Sequence, residues 1–112
     1  MIEKISIITP AKNEAKSLKI LLPDLVNKYP KAEIIIVNDG STDNTSEICK
    51  ENGVTEIYHP YSMGNGAAIK SGARKASGDI LVFMDADGQH KPEDIETLLN
   101  KLDDGFDMVV GA

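Results

Sequence analysis

Two carboxylates separated by one residue, Asp85-Ala86-Asp87, directly follow the apolar run Ile80, Leu81, Val82, Phe83, Met84. If that run is a buried strand, the acids after it lie in the crevice where open α/β sheets hold ligands, outside the carboxyl ends of the strands. Oxygen donors there suit Mg²⁺ or Mn²⁺, and magnesium is usually held by one or two carboxylates together with substrate phosphates. The pair therefore points to a metal-bridged diphosphate. Taken alone, the tripeptide favours the plainer reading of an acidic turn that only caps a following helix. What else reaches the same edge decides between them.

The elements that must position these acids can be read along the chain. Ile5, Ile7 and Ile8 form a short apolar run stopped at Thr9-Pro10, a first strand. Leu18, Leu21, Leu22, Leu25, Val26 and Tyr29 recur at steps of three and four, the signature of one helix face, with Pro23 predicting a kink or restart. Ile34 to Val37 is an apolar, β-branched strand ended by Asn38-Asp39-Gly40, and Ser41, Thr42 and Asp43 offer a cap for the helix that follows. That helix carries Ile48 and Cys49 inward and stops near Asn52-Gly53; Thr55 to Tyr58 form a third strand. Gly64-Asn65-Gly66 opens a helix whose inner side is small, with Ala68, Ile69, Gly72, Ala73 and Ala76, so that its backbone can lie close to the sheet. After the fourth strand, Pro92 starts a helix carrying Ile95, Leu98, Leu99 and Leu102, and Met108 to Val110 begins a fifth strand.

Strict alternation of strand and helix predicts a parallel sheet covered on both faces, with right-handed crossovers. On that scaffold Asn13 and Glu14 follow strand one, Asp39 strand two, the Gly64–Gly66 loop strand three, and Asp85 and Asp87 strand four. All four groups fall on one edge. This convergence favours a metal-assisted nucleotide site over an acidic turn.

Composition excludes several classes. With 112 residues and a net charge of −6, at a pI near 4.8, the chain is one acidic domain with no basic surface for nucleic acid. Cys49 is the only cysteine, which excludes an internal disulfide framework. No apolar stretch approaches the ~20 residues that span a bilayer, and Met1-Ile2-Glu3-Lys4 does not open a signal peptide, so a soluble chain is expected.

Thr9-Pro10-Ala11-Lys12-Asn13-Glu14, Val37-Asn38-Asp39-Gly40-Ser41-Thr42-Asp43, Gly64-Asn65-Gly66-Ala67-Ala68 and Asp85-Ala86-Asp87-Gly88-Gln89-His90 together resemble the family 2 glycosyltransferases, especially their dolichol-phosphate mannosyltransferase-like branch. Four motifs in order and at the right spacing are far more specific than any one. The resemblance implies a GT-A fold, of which residues 1–112 would be the donor-binding half: a three-layer α/β/α, Rossmann-like parallel sheet that binds a nucleotide diphosphate sugar. It implies that Pro10 and Glu14 contact the nucleoside and that Val37 and Asp39 cradle base and ribose. Asp85, Ala86 and Asp87 would lie at the ribose, diphosphate and metal, with Asp85, Asp87 and Gln89 on the Mg²⁺ or Mn²⁺. A carboxylate at position 39 is chemically apt, because charge-assisted hydrogen bonds to a base N–H or ribose hydroxyl are strong. For Glu14 the plain alternative is a helix-start acid favoured by the dipole, and for Asp39 a turn former.

Hard Mg²⁺ prefers oxygen, so His90 is read as structural or as a neighbour of the ligands, and His59 as surface-exposed. The Gly64 loop departs from the family pattern, which often carries Asn two residues before the first glycine and Lys between the two; Ser62 and Asn65 stand there. A backbone N–H cradle for phosphate survives that change, whereas a lysine contact does not. Lys70 and Arg74 read as a solvated basic stripe.

The resemblance implies an inverting transfer of a sugar to a polyprenyl phosphate or similar acceptor, by a protein in the cytoplasm or at the cytoplasmic face of a membrane. The acceptor half, which usually supplies the general base, lies past the fifth strand in such enzymes, so no catalytic residue is named here. A non-catalytic nucleotide-binding or regulatory domain is the competing class. A receiver-like phosphoacceptor module fits less well, because Pro10-Ala11-Lys12-Asn13-Glu14 replaces its acidic pair after strand one and no Lys follows Val110. A nucleotidylyltransferase would carry a glycine-rich, basic loop directly after strand one.

Overall fold

The computed structural model describes residues 4–78, 80–84 and 108–110. In chain order these form β1 (Ile5–Ala11), α1 (Ala15–Lys28), β2 (Glu33–Asp39), α2 (Thr45–Glu51), β3 (Thr55–His59), α3 (Asn65–Lys75), β4 (Ile80–Phe83) and β5 (Met108–Val110). The helix expected from Pro92 lies outside the described residues. Five strands make one sheet in the order β3-β2-β1-β4-β5, with every pairing parallel.

Two-residue alternation sorts the apolar side chains onto two faces. Ile7, Ile34, Ile36, Ile80 and Val82 pack with Leu18, Leu22 and Leu25 of α1 and Ile48 and Cys49 of α2. Ile8, Ile35, Val37 and Phe83 face the other way and meet Ala68 of α3, with Ile69, Ala73 and Ala76 packed alongside. A strand buried on both sides has no room for polar alternation, which is why Ile34 to Val37 is apolar throughout.

Two prolines lie inside their elements. Pro23 does not restart α1, which runs 14 residues through it. Pro23 and Lys19 are both exposed, so water can serve the carbonyl that loses its donor. Pro10 does not stop β1. Lys4 and Ile8 turn their carbonyls toward β4, accepting from Ile80 N and Met84 N, so alternation turns Pro10 to that side as well. The β1–β4 ladder has already ended at Ile8 and Phe83. The absent N–H therefore costs no ladder bond.

The amino edge of the sheet is closed by Glu33. Its carboxylate accepts from Ser6 Oγ at 2.8 Å and Ser77 N at 2.8 Å. Burial alone would raise its pKa, but these donors and the nearby Lys4 charge hold it below the usual carboxylate value.

The small inner face of α3 brings it close to the sheet. A Cβ on Gly72 would sit 2.3 Å from Ile8 Cγ2 and 3.3 Å from Val37 Cγ2, and both those residues are fully buried. Gly72→Ala, which on helix propensity alone would stabilise, is expected to destabilise by about 1–3 kcal/mol through overpacking. A urea-midpoint comparison checks this; a stabilised variant would contradict the close approach.

Candidate functional site

The strand order places the switch in winding direction between β1 and β4, since β2 and β3 add on one side of β1 and β4 and β5 on the other. Ligands of open α/β sheets bind outside such a switch point. Pro10 sits beside it, on the stretch of β1 that has outrun β4.

The loops leaving β1 and β2 are stitched together by side chains of the two motifs. Asn13, at φ 54°, accepts from Thr42 N at 2.8 Å through Oδ1, and its own N–H donates to Ser41 Oγ at 2.9 Å. Asn38 is buried; its Oδ1 accepts from Ser41 N at 3.0 Å and its Nδ2 donates to Ser46 Oγ and Glu56 Oε2. Asp43 joins two helix starts, accepting from Ala15 N at 3.1 Å with one oxygen and from Thr45 N and Oγ1 with the other. It thus serves α2 from one residue ahead of the N-cap position, held by Asn44. Burial opposes the Asp43 charge, yet these donors hold its pKa below the ordinary value. Asn13, Asn38 and Asp43 are therefore architectural, forming the rim on which a ligand would rest.

Asp39 is the centre of the rim. It ends β2, is 6% exposed, and accepts four hydrogen bonds: Oδ1 from Met63 N (2.8 Å) and His59 Nδ1 (2.9 Å), Oδ2 from Gly64 N (3.1 Å) and Ser62 Oγ (3.1 Å). Two carboxylate oxygens offer about four acceptor sites, so this set fills them. Burial by itself would raise the Asp39 pKa; the Met63, His59, Gly64 and Ser62 donors outweigh it and bring the value down to about 2. The loop between β3 and α3 is thereby pulled over Gly40, whose φ is +73° and whose absent Cβ would lie 2.6 Å from Ser62 N and 2.7 Å from Tyr61 C. Only glycine fits that contact.

His59 is where the structure departs from the sequence reading. Expected on the surface, it is 7% exposed and lies beside Asp39 in the β2–β3 register, with Nε2 2.9 Å from Ser71 Oγ on α3. Asp39, His59 and Ser71 are linked in the order of a hydrolase triad. However, Ser71 lies well inside a helix, and neither described cavity touches it. Those cavities, of about 380 and 230 Å³, include Ile5, Ala32 and Glu33, at the opposite edge of the sheet. Cys49 is not a nucleophile either, since burial and then the Glu56 charge push its thiol up to about 11.

Of the remaining expected site residues, Pro10 and Glu14 lie half-buried at the carboxyl edge, and Glu14 takes the N-cap position of α1 without a side-chain cap bond. The Val37 side chain is fully buried in the core facing α3, so a ligand contact there would have to come from its backbone. Asp85, Ala86, Asp87, Gln89 and His90 lie outside the described residues. The chain leaves β4 at this same edge, with Met84 N still bonded to Ile8 O. Among the described residues no group of three His, Cys, Asp or Glu could hold a metal. The all-oxygen set Asp85, Asp87 and Gln89 fits a hard divalent cation chemically, with no rival cage in the described part. One feature has no signal in the sequence: the Thr9 hydroxyl, fully buried near the end of β1, has no hydrogen-bond partner among the described residues.

Asp39→Asn would turn an amide N–H toward donors it cannot satisfy, an expected loss of about 1–3 kcal/mol at neutral pH. Because the native pKa is lowered, to about 2, the stabilisation by Asp39 is fully present above the unfolded-state value near 3.9 and is lost as pH falls through 2. The gap between wild type and Asp39→Asn in urea midpoints should therefore narrow from pH 4 to pH 2. A constant gap would contradict the four-donor arrangement.

A sequence model described as "Glycosyl transferase family 2" matches residues 6–112. An uncharacterized protein of Methanocaldococcus jannaschii, MJ1222, is 38% identical over 114 residues, covering 98% of this chain and 46% of that protein. The undecaprenyl-phosphate 4-deoxy-4-formamido-L-arabinose transferase of Salmonella paratyphi B is 34% identical over 122 residues, covering 96% and 36%. The chain thus spans less than half the length of these relatives. Among solved structures, Mycobacterium tuberculosis glucosyl-3-phosphoglycerate synthase in complex with Mn²⁺, UDP and glucosyl-3-phosphoglycerate superposes with a TM-score of 0.75 at 25% identity, over 89% of this chain and 39% of that one. The Pyrobaculum calidifontis mannosyltransferase PcManGT, in complex with GDP-Man and Mn²⁺, gives 0.71 at 25%, over 78% and 28%. With the fold of GT-A glycosyltransferases and a family match over nearly its whole length, the chain belongs to glycosyl transferase family 2.

Proposed function

We propose that this chain is a nucleotide-diphosphate-sugar-binding unit, the donor half of a glycosyltransferase that moves a sugar to a polyprenyl phosphate or similar acceptor. The observation that carries the reading is the convergence of Pro10, Glu14, Asp39 and the Gly64 loop on the carboxyl edge at the winding switch, together with relatives of the same fold bound to UDP or GDP-mannose and Mn²⁺. In this reading Pro10 and Glu14 flank the nucleoside, and Val37 and Asp39 form the floor under base and ribose, Val37 through its backbone. Asp85, Ala86 and Asp87 meet the ribose and diphosphate, and Asp85, Asp87 and Gln89 hold Mg²⁺ or Mn²⁺. When bound, that cation supplies Lewis-acid neutralisation of charge growing on the departing nucleoside diphosphate.

The chain's own contribution is orientation. The stitched loops fix the rim before ligand arrives, so little ordering cost falls on binding. The first-turn N–H groups of α3 have no helical acceptor and offer a backbone cradle for phosphate oxygens. The inverting chemistry, an in-line displacement at the anomeric carbon, takes its base from the acceptor side and only its leaving-group side from residues 1–112. The described residues contain no helix long and apolar enough to cross a membrane, and we place the protein in the cytoplasm or peripherally at the membrane's cytoplasmic face. The second reading is a non-catalytic nucleotide-binding domain, which shares every residue of this site.

Titration calorimetry of GDP and UDP, with and without Mn²⁺, tests the proposal in wild type and Asp87→Ala. Metal-dependent binding of one nucleotide, weakened at least about tenfold in Asp87→Ala, is expected from loss of a charge-assisted ligand. Absence of binding in a chain shown to be folded would contradict it. Sugar transfer from a nucleotide-sugar donor to a polyprenyl phosphate, present in wild type and absent in Asp87→Ala, separates a transferase from a binding domain.

A further inference from the structure

His59 and Ser71 belong to no motif that the donor-site reading uses, yet they connect three elements at its centre. The ring of His59, at the end of β3, lies between Asp39 at the end of β2 and Ser71 in α3, with both nitrogens at 2.9 Å from their partners. Carboxylate oxygens can only accept, so Nδ1 carries a proton toward Asp39; in the neutral ring Nε2 then accepts from the Ser71 hydroxyl. The sheet and the helix are thus bolted through one imidazole, 7% exposed. Its carboxylate partner holds the backbone N–H groups of Met63 and Gly64, and Gly64 is the N-cap of α3. A rotation of Asp39 would release both amides and the start of α3 together.

We propose that His59, anchored by Ser71, is a positioning residue that fixes the Asp39 carboxylate and through it the Tyr61–Gly64 loop, so that the floor under the nucleotide is set before ligand arrives. The ligand part of this assignment rests on the donor-site reading; the clasp itself does not. Tyr61 and Met63, 66% and 48% exposed, are the side chains whose placement the clasp controls. Ser71 adds no chemistry of its own. It keeps the imidazole from turning away from Asp39.

The test compares His59→Ala, His59→Asn, His59→Gln and Ser71→Ala. Two readouts are used: ligand-free amide hydrogen exchange at Met63 and Gly64, and GDP and UDP affinity with Mn²⁺. The Asn amide nitrogen can occupy the place of Nδ1, whereas that of Gln matches Nε2. His59→Ala and His59→Gln should speed exchange at Met63 and Gly64 about tenfold or more while Ile7 and Ile36 in the central strands stay unchanged. His59→Asn should retain protection, Ser71→Ala should show a smaller loss, and nucleotide affinity should follow the same order. Unchanged exchange at Met63 and Gly64 in His59→Ala would overturn the clasp, as would acceleration shared equally by the central strands. Failure of His59→Asn to rescue would also overturn it. If wild type binds neither nucleotide, the donor-site reading and the ligand part of this proposal fall together, while the exchange data still decide the clasp.

Discussion

A single buried carboxylate organises the carboxyl edge of this protein. Asp39 ends the β2 strand with its charge facing α3, and burying a charge is costly unless each of its lone pairs meets a donor. The chain solves this with the His59 imidazole from the end of β3 and, from the loop that follows it, two backbone amides and a hydroxyl. Satisfying that one group dictates where the loop runs, why a glycine must stand at position 40, and where α3 begins. The depressed pKa is the electrostatic signature of the same arrangement.

Close approach of backbones is the second constraint, and it serves the first. Gly72 lets α3 settle onto Ile8 and Val37, bringing Ser71 within reach of the imidazole. Gly40 lets the Tyr61–Ser62 backbone lie over the end of β2. On the far side of the rim, Asn13, Ser41, Thr42 and Asp43 tie the β1 and β2 loops into one body. A surface stitched in this way is preorganised, and preorganised polar groups are what a charged, flexible ligand such as a nucleoside diphosphate needs.

Much of the fold was legible in the sequence because it rests on periodicity. The apolar runs, the small-residue helix and the alternation of elements led to a parallel α/β sheet, and those signals do not depend on distant partners. Pro10 misled as a strand stop, and Pro23 as a helix restart, because a proline's cost depends on whether its missing N–H had a partner, which only the neighbouring strand or solvent can reveal. The site was legible as an edge but not as a set of roles. Asn38 and Asp43 carry the pattern of a ligand-binding motif, yet their hydrogen bonds hold the fold together: Asn38 bonds Ser41, Ser46 and Glu56, and Asp43 bonds Ala15 and Thr45. Val37 follows the strand's alternation into the core. His59 was read as exposed because a lone histidine near a strand end carries no local sign of a buried partner 20 residues earlier. Its place directly beside Asp39 in the register was the available signal, visible only once β2 and β3 were paired.

The central claim is that ligand binds at the carboxyl edge, on a rim fixed around Asp39. The most direct measurement is a map of backbone amide chemical-shift changes as GDP or UDP is titrated with Mg²⁺ into the labelled chain. The account predicts changes clustered at residues 10–14, 39–42 and 61–66, with the amino edge around Lys4, Ala32 and Glu33 left still. Changes centred on that amino edge, where the described cavities lie, or spread without focus over the surface, would contradict it.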